Sequence, residues 1–411
     1  MKSIVILGAG TAGTIMANRL RRALPSKGWR ITVVDRDDEH VYQPGLLFVP
    51  FGDYRPEDVV RPRRRFLAPD VQLVLAELEA VEPDTQHVRL VEHDPIAYDV
   101  LIIATGCRIA PEQTPGLMQA GWRSSAHEFY TLEGAVALRD SLARFERGRL
   151  VVNVVDNPIK CPVAPLEFLF LADAHFRRRG VRDQIELVFA TPLDGAFTKP
   201  IASAMLGDLL NDKGITVVPD FGLESVDSDQ RVLQAYDDRR QGYDLLVSVP
   251  LHQGSDVITR SGLGDDAGFV PTDHHTLQCK AHANVFALGD ATDLPASKAG
   301  AVAHFQSEVL TDNVLRYIAG QPPLPAFDGH ANCFIETGHG KAMLIDFNYD
   351  TEPLPGRFPL PGIGPFTLLA ETRTNHWGKL AFKWAYWNKL LPGEDLPLDH
   401  RMLMAGKRGQ A

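Results

Sequence analysis

Three glycines, one aspartate and four cysteines are the residues of this 411-residue chain whose types and positions could do chemistry. Gly8-Ala9-Gly10-Thr11-Ala12-Gly13 follows the apolar run Ser3-Ile4-Val5-Ile6-Leu7 and opens a helical pattern through Ile15, Met16, Leu20 and Leu24. A second apolar run, Ile31-Thr32-Val33-Val34, then ends in Asp35. Strand, glycine turn, helix, strand and acid together form a site for a dinucleotide. Gly8 permits the tight turn, Gly10 admits a pyrophosphate to the backbone beside Ala12, and Gly13 lets the helix close on the strand. Asp35 would accept hydrogen bonds from a ribose. The alternative is an ordinary glycine-rich turn between a strand and a helix.

The elements that must position these residues are spread along the chain. Tyr98-Asp99-Val100-Leu101-Ile102-Ile103-Ala104-Thr105-Gly106 reads as a buried strand ending in a small-residue turn. Ala283-Asn284-Val285-Phe286-Ala287-Leu288-Gly289-Asp290 is another, closing in Gly-Asp before a helix that Lys298 and Ala299 open. Val71 to Glu79 and Val88 to Val91 suggest a small antiparallel element. This order of motifs resembles the two-dinucleotide-domain flavoprotein superfamily. The resemblance implies FAD as cofactor, with Asp290 contacting its ribityl and phosphate groups. Gly8, Gly10, Ala12, Gly13, Asp35, Thr105, Gly106, Gly289, Asp290, Lys298 and Ala299 would then form the binding set. It also implies an α/β fold of two Rossmann-like domains: a discontinuous FAD domain over 1–110 and 275–320, and a second over 111–274. The helix after Lys298 and Ala299 would turn its N-terminus toward the flavin and favour negative charge on the reduced ring.

That superfamily usually carries a second glycine fingerprint for NAD(P)H in the middle segment. Here the corresponding strand, Leu150-Val151-Val152-Asn153-Val154-Val155, leads into Asp156-Asn157-Pro158-Ile159-Lys160-Cys161-Pro162-Val163-Ala164-Pro165. Prolines fix φ and remove donors, so this turn is not expected to cradle a pyrophosphate. A cysteine stands where the nicotinamide site would be. A helix follows over 166–180, apolar nearly all round at its start and therefore expected to be buried.

Composition narrows the classes. With 45% apolar and 23% charged residues the chain is globular, and no run of apolar residues is long enough to span a bilayer. Met1-Lys2 leads directly into the first strand, so no signal peptide is expected. A net charge of −10 argues against a nucleic-acid partner, and the cluster Arg61, Arg63, Arg64, Arg65 reads as a solvated loop. The cysteines at 107, 161, 279 and 333 show no CxxC and no His/Cys ligand spacing. That disfavours a metal site and a secreted disulfide framework. Cys107 and Cys279 read as buried small side chains. The histidines at 127, 252, 274, 275 and 304 carry no motif, with His304 the one weak candidate for proton transfer.

Across essentially its whole length the chain resembles the sulfide:quinone oxidoreductases and the related flavoprotein subunit of flavocytochrome c sulfide dehydrogenase. The carriers are GAGTAG, Lys160-Cys161-Pro162 with Glu167 after it, Asn284 through Thr292, and Ser297-Lys298-Ala299-Gly300-Ala301-Val302-Ala303-His304. Asn332-Cys333-Phe334 ahead of Gly338-His339-Gly340-Lys341 completes them. The resemblance implies that Cys161 and Cys333 are a redox pair beside the flavin and that the substrate is sulfide. Hydrosulfide attacks a disulfide or polysulfide sulfur, leaving a persulfide on one cysteine and a thiolate on the other. Two electrons then pass to the flavin, and repetition lengthens a sulfur chain between the cysteines. Glu167 would move protons there, with an ordinary exposed helix glutamate as the alternative. Many members carry a third cysteine between the Ala-Thr-Gly strand and the middle domain; this chain has none there, which implies a two-cysteine mechanism.

Roughly the last ninety residues, 321–411, add a region of another kind. Trp377, Leu380, Trp384, Trp387 and Leu391 recur on one helical face, with Lys379, Lys383 and Lys389 off it. Aromatic anchors beside lysines suit a helix lying in a membrane surface, and a helix packed on its own domain or on a partner is the alternative. Together with Pro361-Gly362-Ile363-Gly364-Pro365-Phe366 this region is expected to form a lipid-side mouth for a quinone, with Phe334 and Phe366 as ring-stacking residues. The expected location is peripheral to an inner membrane, on its periplasmic face by resemblance, with homo-oligomerisation possible. A subunit donating electrons to cytochrome c, a non-catalytic flavin- or sulfur-binding protein, and a type II NADH:quinone reductase are the other readings of the same motifs.

Overall fold

The computed structural model describes residues 1–396 and 398–408. The first apolar runs form strands buried on both faces, as runs without polar alternation must. Five parallel strands lie in the order Val285–Ala287, Val100–Ile103, Lys2–Leu7, Trp29–Asp35, Val71–Leu75. Leu7 is thereby set opposite both Val34 and Ile103, so the glycine turn, the Asp35 strand end and the Ala104-Thr105-Gly106 turn meet at one edge. The helices Thr11–Ala23 and Gly300–Ile318 pack against one another beside this sheet. Val71–Leu75 therefore belongs to the parallel sheet, whereas the sequence pattern suggested an antiparallel element there. The antiparallel piece is Leu78–Glu82, His87–Leu90 and His93–Ala97.

A second parallel sheet runs Ala126–His127, Leu245–Val249, Gly148–Val154, Ile185–Ala190, Ile215–Val218. The helix Ala164–Arg179 follows its central strand and is buried along most of its length, with Gly180 as a left-handed C-cap. The C-terminal sheet, Ala331–Gly338, Lys341–Phe347, Gly364–Leu368 and Gly356–Leu360, is covered by the helix Arg373–Ala385. Its first strand lies against Ala164–Arg179, so two segments distant in sequence become neighbours.

The C-terminal helix departs from the expected stripe. Trp377, Leu380 and Trp384 are exposed at 72%, 42% and 62%, but Trp387 is only 3% exposed and Leu391 is fully buried. The cause is a wide π turn over Tyr386–Leu390, closed by Leu391 N donating to Tyr386 O at 3.0 Å. An extra residue in one turn rotates the rest of the helix about its axis, which carries Trp387 off the outward face and onto Phe66, with Arg61 over its ring. Ile363 is 79% exposed at the tip of the Gly356–Leu360 and Gly364–Leu368 hairpin.

Candidate active site

One cavity of about 750 Å³ runs from the first glycine turn to the C-terminal helix. At the near end its walls include Gly8, Gly10, Ala12, Asp35, Thr105, Gly106, Gly289, Asp290, Lys298 and Ala299. Gly8 adopts φ +95°, and a Cβ there would lie 2.4 Å from Ala104 O; a Cβ on Gly13 would lie 1.8 Å from Gly8 O. Both positions require glycine for close approach. At Gly10 a Cβ would meet nothing within 4 Å, so open space stands over the backbone where a pyrophosphate belongs. Ala9 N donates to Asp35 Oδ2 at 2.7 Å, which fixes the acid at the cavity rim.

Arg63 does not sit in a solvated loop. Its guanidinium donates to Ala9 O at 2.9 Å, stands 3.3 Å from Asp35 Oδ2 and 3.1 Å from Asp37 Oδ1, and lines the cavity. Asp35 and Asp37 pair with Arg63, and Arg61 lies over the Trp387 ring, so two of the four arginines that the sequence suggested were solvated are held by the fold. Arg64 and Arg65 are exposed.

The Gly289-Asp290 turn is held from behind. Gly289 N donates to Gln306 Oε1 at 2.6 Å, and Lys298 Nζ donates to Asp290 O at 3.1 Å and to Thr292 O at 2.7 Å. Burial pushes the Asp290 carboxyl up, and the Lys298 and Lys160 ammonium groups pull it back. Thr105 Oγ1 is buried with no hydrogen-bond partner among the described residues. An open backbone cradle, an acid at the ribose position, an orphaned hydroxyl and a cavity of this size fit FAD.

Cys161, Glu167 and Lys379 line the far end of the cavity, and Cys333, which is not in its wall, comes close to Cys161 from a third stretch. Cys161 sits at φ +48°, its N donating to Lys298 O at 2.8 Å, so the turn after the middle-domain strand is tied to the cofactor domain. Cys333 pairs with Ile345 in the C-terminal sheet, on the strand that lies against the Cys161 helix. The two thiols are near enough to influence one another electrostatically, and neither forms a disulfide here. Burial raises both, Cys333 to about 12 and Cys161 further; Glu167 and Cys333 add to the rise at Cys161, and Lys379 opposes it.

Glu167 is not an exposed helix glutamate. Its carboxylate is 1% exposed, accepts from Glu336 N at 2.7 Å and is paired with the Lys379 ammonium. Lys379 Nζ also donates to Phe334 O at 2.8 Å, and Glu336 accepts from His376 Nδ1 at 2.9 Å. A chain of charged groups thus leads from the partly exposed His376 through Glu336 and Lys379 to Glu167 and the cysteines. Burial pushes Glu167 up and Lys379 pulls it back; burial works against the Lys379 ammonium, but Glu167 and Cys161 raise it. Replacing Lys379 with Met leaves Glu167 buried without its counter-charge, and a loss of about 3–5 kcal/mol is expected. With the carboxyl pKa raised further in the folded state, the variant's deficit should grow as pH rises through and above the unfolded value of about 4.3. Urea titrations of wild type and variant at pH 5 and pH 8 check the sign.

Phe334 and Phe366 meet edge to face at 5.1 Å between centroids. They close over Gly378, where a Cβ would lie 2.5 Å from the Phe366 ring and 2.8 Å from Phe334. The glycine lets both rings lie under the amphipathic helix, between its outward face and Cys333.

Lys379, Glu336, His376, Arg63 and Tyr386 were missed as site residues in the sequence. Lys379 was read with Lys383 and Lys389 as a lysine beside the Trp stripe, and only the packing of the helix on the C-terminal sheet separates it from the partly exposed Lys389. Tyr386, whose hydroxyl is 2.7 Å from both Thr11 Oγ1 and His40 Nε2, carried none, because only the π turn aims it at the dinucleotide loop. Cys279 is buried in the apolar core, as the sequence suggested. Cys107 differs, since it lines the cavity and burial pushes its thiol up to about 12.

Residues 2–153 match the pyridine nucleotide-disulphide oxidoreductase family. The mitochondrial sulfide:quinone oxidoreductase of Mus musculus is 28% identical over 397 residues, 95% of this chain and 86% of that protein. That of Dictyostelium discoideum is 28% identical over 400 residues, again 95% and 86%. The fold is that of the Aquifex aeolicus sulfide:quinone oxidoreductase crystal structure, with a TM-score of 0.79, 19% identity and coverage of 96% of this chain and 92% of that one. With FAD as cofactor in a cavity that ends at a cysteine where a second glycine loop would stand, the chain is similar over nearly its whole length to the sulfide:quinone oxidoreductases and shares their two-dinucleotide-domain fold.

Proposed function

We propose that this protein oxidises sulfide to sulfane sulfur or polysulfide at Cys161 and Cys333 and delivers the electrons to a membrane quinone. The observation that carries the reading is the convergence of Cys161 and the Glu167–Lys379 pair at one end of a cavity whose other end is the dinucleotide turn, with Cys333 close enough to Cys161 to act on it electrostatically. Hydrosulfide attacks the disulfide, one sulfur–sulfur bond forms as another breaks, and a persulfide and a thiolate result. FAD, when bound, accepts two electrons from the sulfur and passes them to the quinone. The binding set would be the glycine turn with Asp35, the Thr105-Gly106 turn, and Gly289, Asp290 and Ala299, with Lys298 bracing the Asp290 turn from behind.

The chain's own residues supply the rest. Glu167 receives and returns protons at the sulfur, and the Lys379 ammonium lowers the cost of a thiolate in a desolvated pocket. Phe334 and Phe366 lie on the path from the cysteines to the outward face, where a quinone ring would stack. His376 and Glu336 connect that path to solvent and supply the protons that quinone reduction consumes.

The outward face is the membrane contact. Trp377, Leu380, Trp384 and Ile363 form an exposed apolar set, and no helix among the described residues is long and apolar enough to cross a bilayer. The protein therefore docks on one leaflet, the periplasmic face of an inner membrane by family likeness. Donation to a cytochrome c partner would place a protein interface on the same face.

Stopped-flow absorbance tests the reading. Sulfide should bleach the flavin within seconds, and NADH should not, because Pro158, Pro162 and Pro165 stand where a nicotinamide dinucleotide would need glycines. Rapid bleaching by NADH would overturn it.

A further inference from the structure

Beside the sulfur end of the cavity lie buried polar groups that the mechanism above leaves unused. The Tyr130 hydroxyl and Nε2 of His252 are buried without a hydrogen-bond partner among the described residues. Tyr130 is 9% exposed and lines the cavity with Lys160, Cys161 and Cys107. Lys160 is equally buried, and its ammonium, in no ion pair or hydrogen bond among the described residues, acts on His252, Cys107 and Asp290. A hydroxyl left unpaired in a protein interior costs on the order of 1–3 kcal/mol, so the arrangement asks for a ligand.

The Tyr130 ring is clamped. It stacks on Phe129 at 4.8 Å, Phe129 stacks on Phe168 at 5.1 Å, and Phe168 follows Glu167 on the same helix. His252 meets its other side edge-on at 4.8 Å. His252 Nδ1 lies 2.9 Å from Pro250 O, an acceptor only, so Nδ1 carries a hydrogen and donates it. Burial and the nearby Lys160 ammonium push that histidine down to about 3. The charged and titratable groups around Tyr130 are Cys161, Glu167, Glu128 and Cys107; those around Cys161 are Glu167, Cys333 and Lys379. Burial raises the Tyr130 hydroxyl well above its ordinary value, so it remains a donor.

We propose that Tyr130 and Lys160 form the subsite that receives the hydrosulfide anion beside Cys161, the phenol donating a hydrogen bond to the sulfur and the ammonium balancing its charge. The inference rests on the reading of Cys161 as the attacked cysteine. HS⁻ forms a bond to the Cys161 sulfur, the Cys161–Cys333 bond breaks, and its electron pair stays on Cys333 as a thiolate. The hydrogen of HS⁻ remains on the terminal sulfur, so no other reactant is needed. Tyr130 and Lys160 then hold the sulfur anions that appear at Cys161 in later cycles.

The test uses the full-length, FAD-loaded protein and sodium hydrosulfide. Tyr130→Phe and Lys160→Met should each raise the sulfide concentration that half-saturates flavin bleaching by about tenfold, the loss of one interaction with an anion, while the limiting rate changes by less than about threefold. Lys160→Arg should stay within about threefold of wild type, because the charge is kept. A second measurement does not depend on turnover. In the reduced protein, the rate of Cys161 alkylation at a fixed pH of about 9, read by peptide mass, should fall by about tenfold in Tyr130→Phe, the change in thiolate for one unit of pKa, with that of Cys333 unmoved. Unchanged half-saturation and an unchanged rate of Cys161 alkylation in Tyr130→Phe would overturn the subsite, as would a fall in limiting rate alone. Failure of the underlying reading looks different: Cys161→Ser would then still be bleached by sulfide.

Discussion

Cys161→Ser and Cys333→Ser are each expected to bind FAD at wild-type stoichiometry and to lose sulfide-dependent flavin reduction by about ten-thousand-fold or more, the scale of losing a nucleophile. Serine replaces a thiol without opening a cavity, and the cofactor turn at Gly8, Gly10 and Gly13 lies on another strand of another sheet. Each single change should be as damaging as the pair, because a sulfur bridge needs both ends. Cys279→Ser supplies the control: it lies in an apolar core away from the cavity, so bleaching should be unaltered even if some stability is lost. Flavin content is read from the visible spectrum and reduction from stopped-flow traces. Wild-type bleaching in both Cys161→Ser and Cys333→Ser would make these cysteines structural.

Replacing Trp377, Trp384 and Ile363 together with Gln should release the protein from liposomes. Each exposed side chain contributes about 1–3 kcal/mol of apolar transfer if it inserts, so the triple change should weaken binding by about two to six powers of ten. Trp387 is excluded from the set because it is buried against Phe66 and Arg61, and its loss would disturb the fold instead of the surface. Sulfide should still bleach the flavin of the triple variant, since the cysteine end lies inside the molecule. Electron delivery to a long-tailed quinone in membranes should collapse, while a short water-soluble quinone is still reduced. Liposome flotation decides: a wild-type protein that stays at the bottom of the gradient rules out membrane docking and favours a protein partner on that face.

Much of the site was legible in the sequence wherever function depends on local backbone chemistry. A glycine turn between a buried strand and a helix has few other uses, and Gly8 and Gly13 show why, since any side chain there would strike a neighbouring carbonyl. The proline-rich turn around Cys161 was equally legible, because it forbids what a second glycine loop would do. Tertiary structure decided the pairings between distant segments. Glu167 read either as a proton carrier or as a surface glutamate until the C-terminal helix brought Lys379 onto it, and Arg63 read as solvated until Asp35 and Asp37 enclosed it. The Trp stripe kept its period through Trp384 and lost it at the π turn, which no pattern of residue types announces. A buried charge is stabilised by its partner, and a partner more than 200 positions away in sequence leaves no periodic trace; only the packing of the C-terminal sheet and helix against the Cys161 helix assembled that end of the cavity.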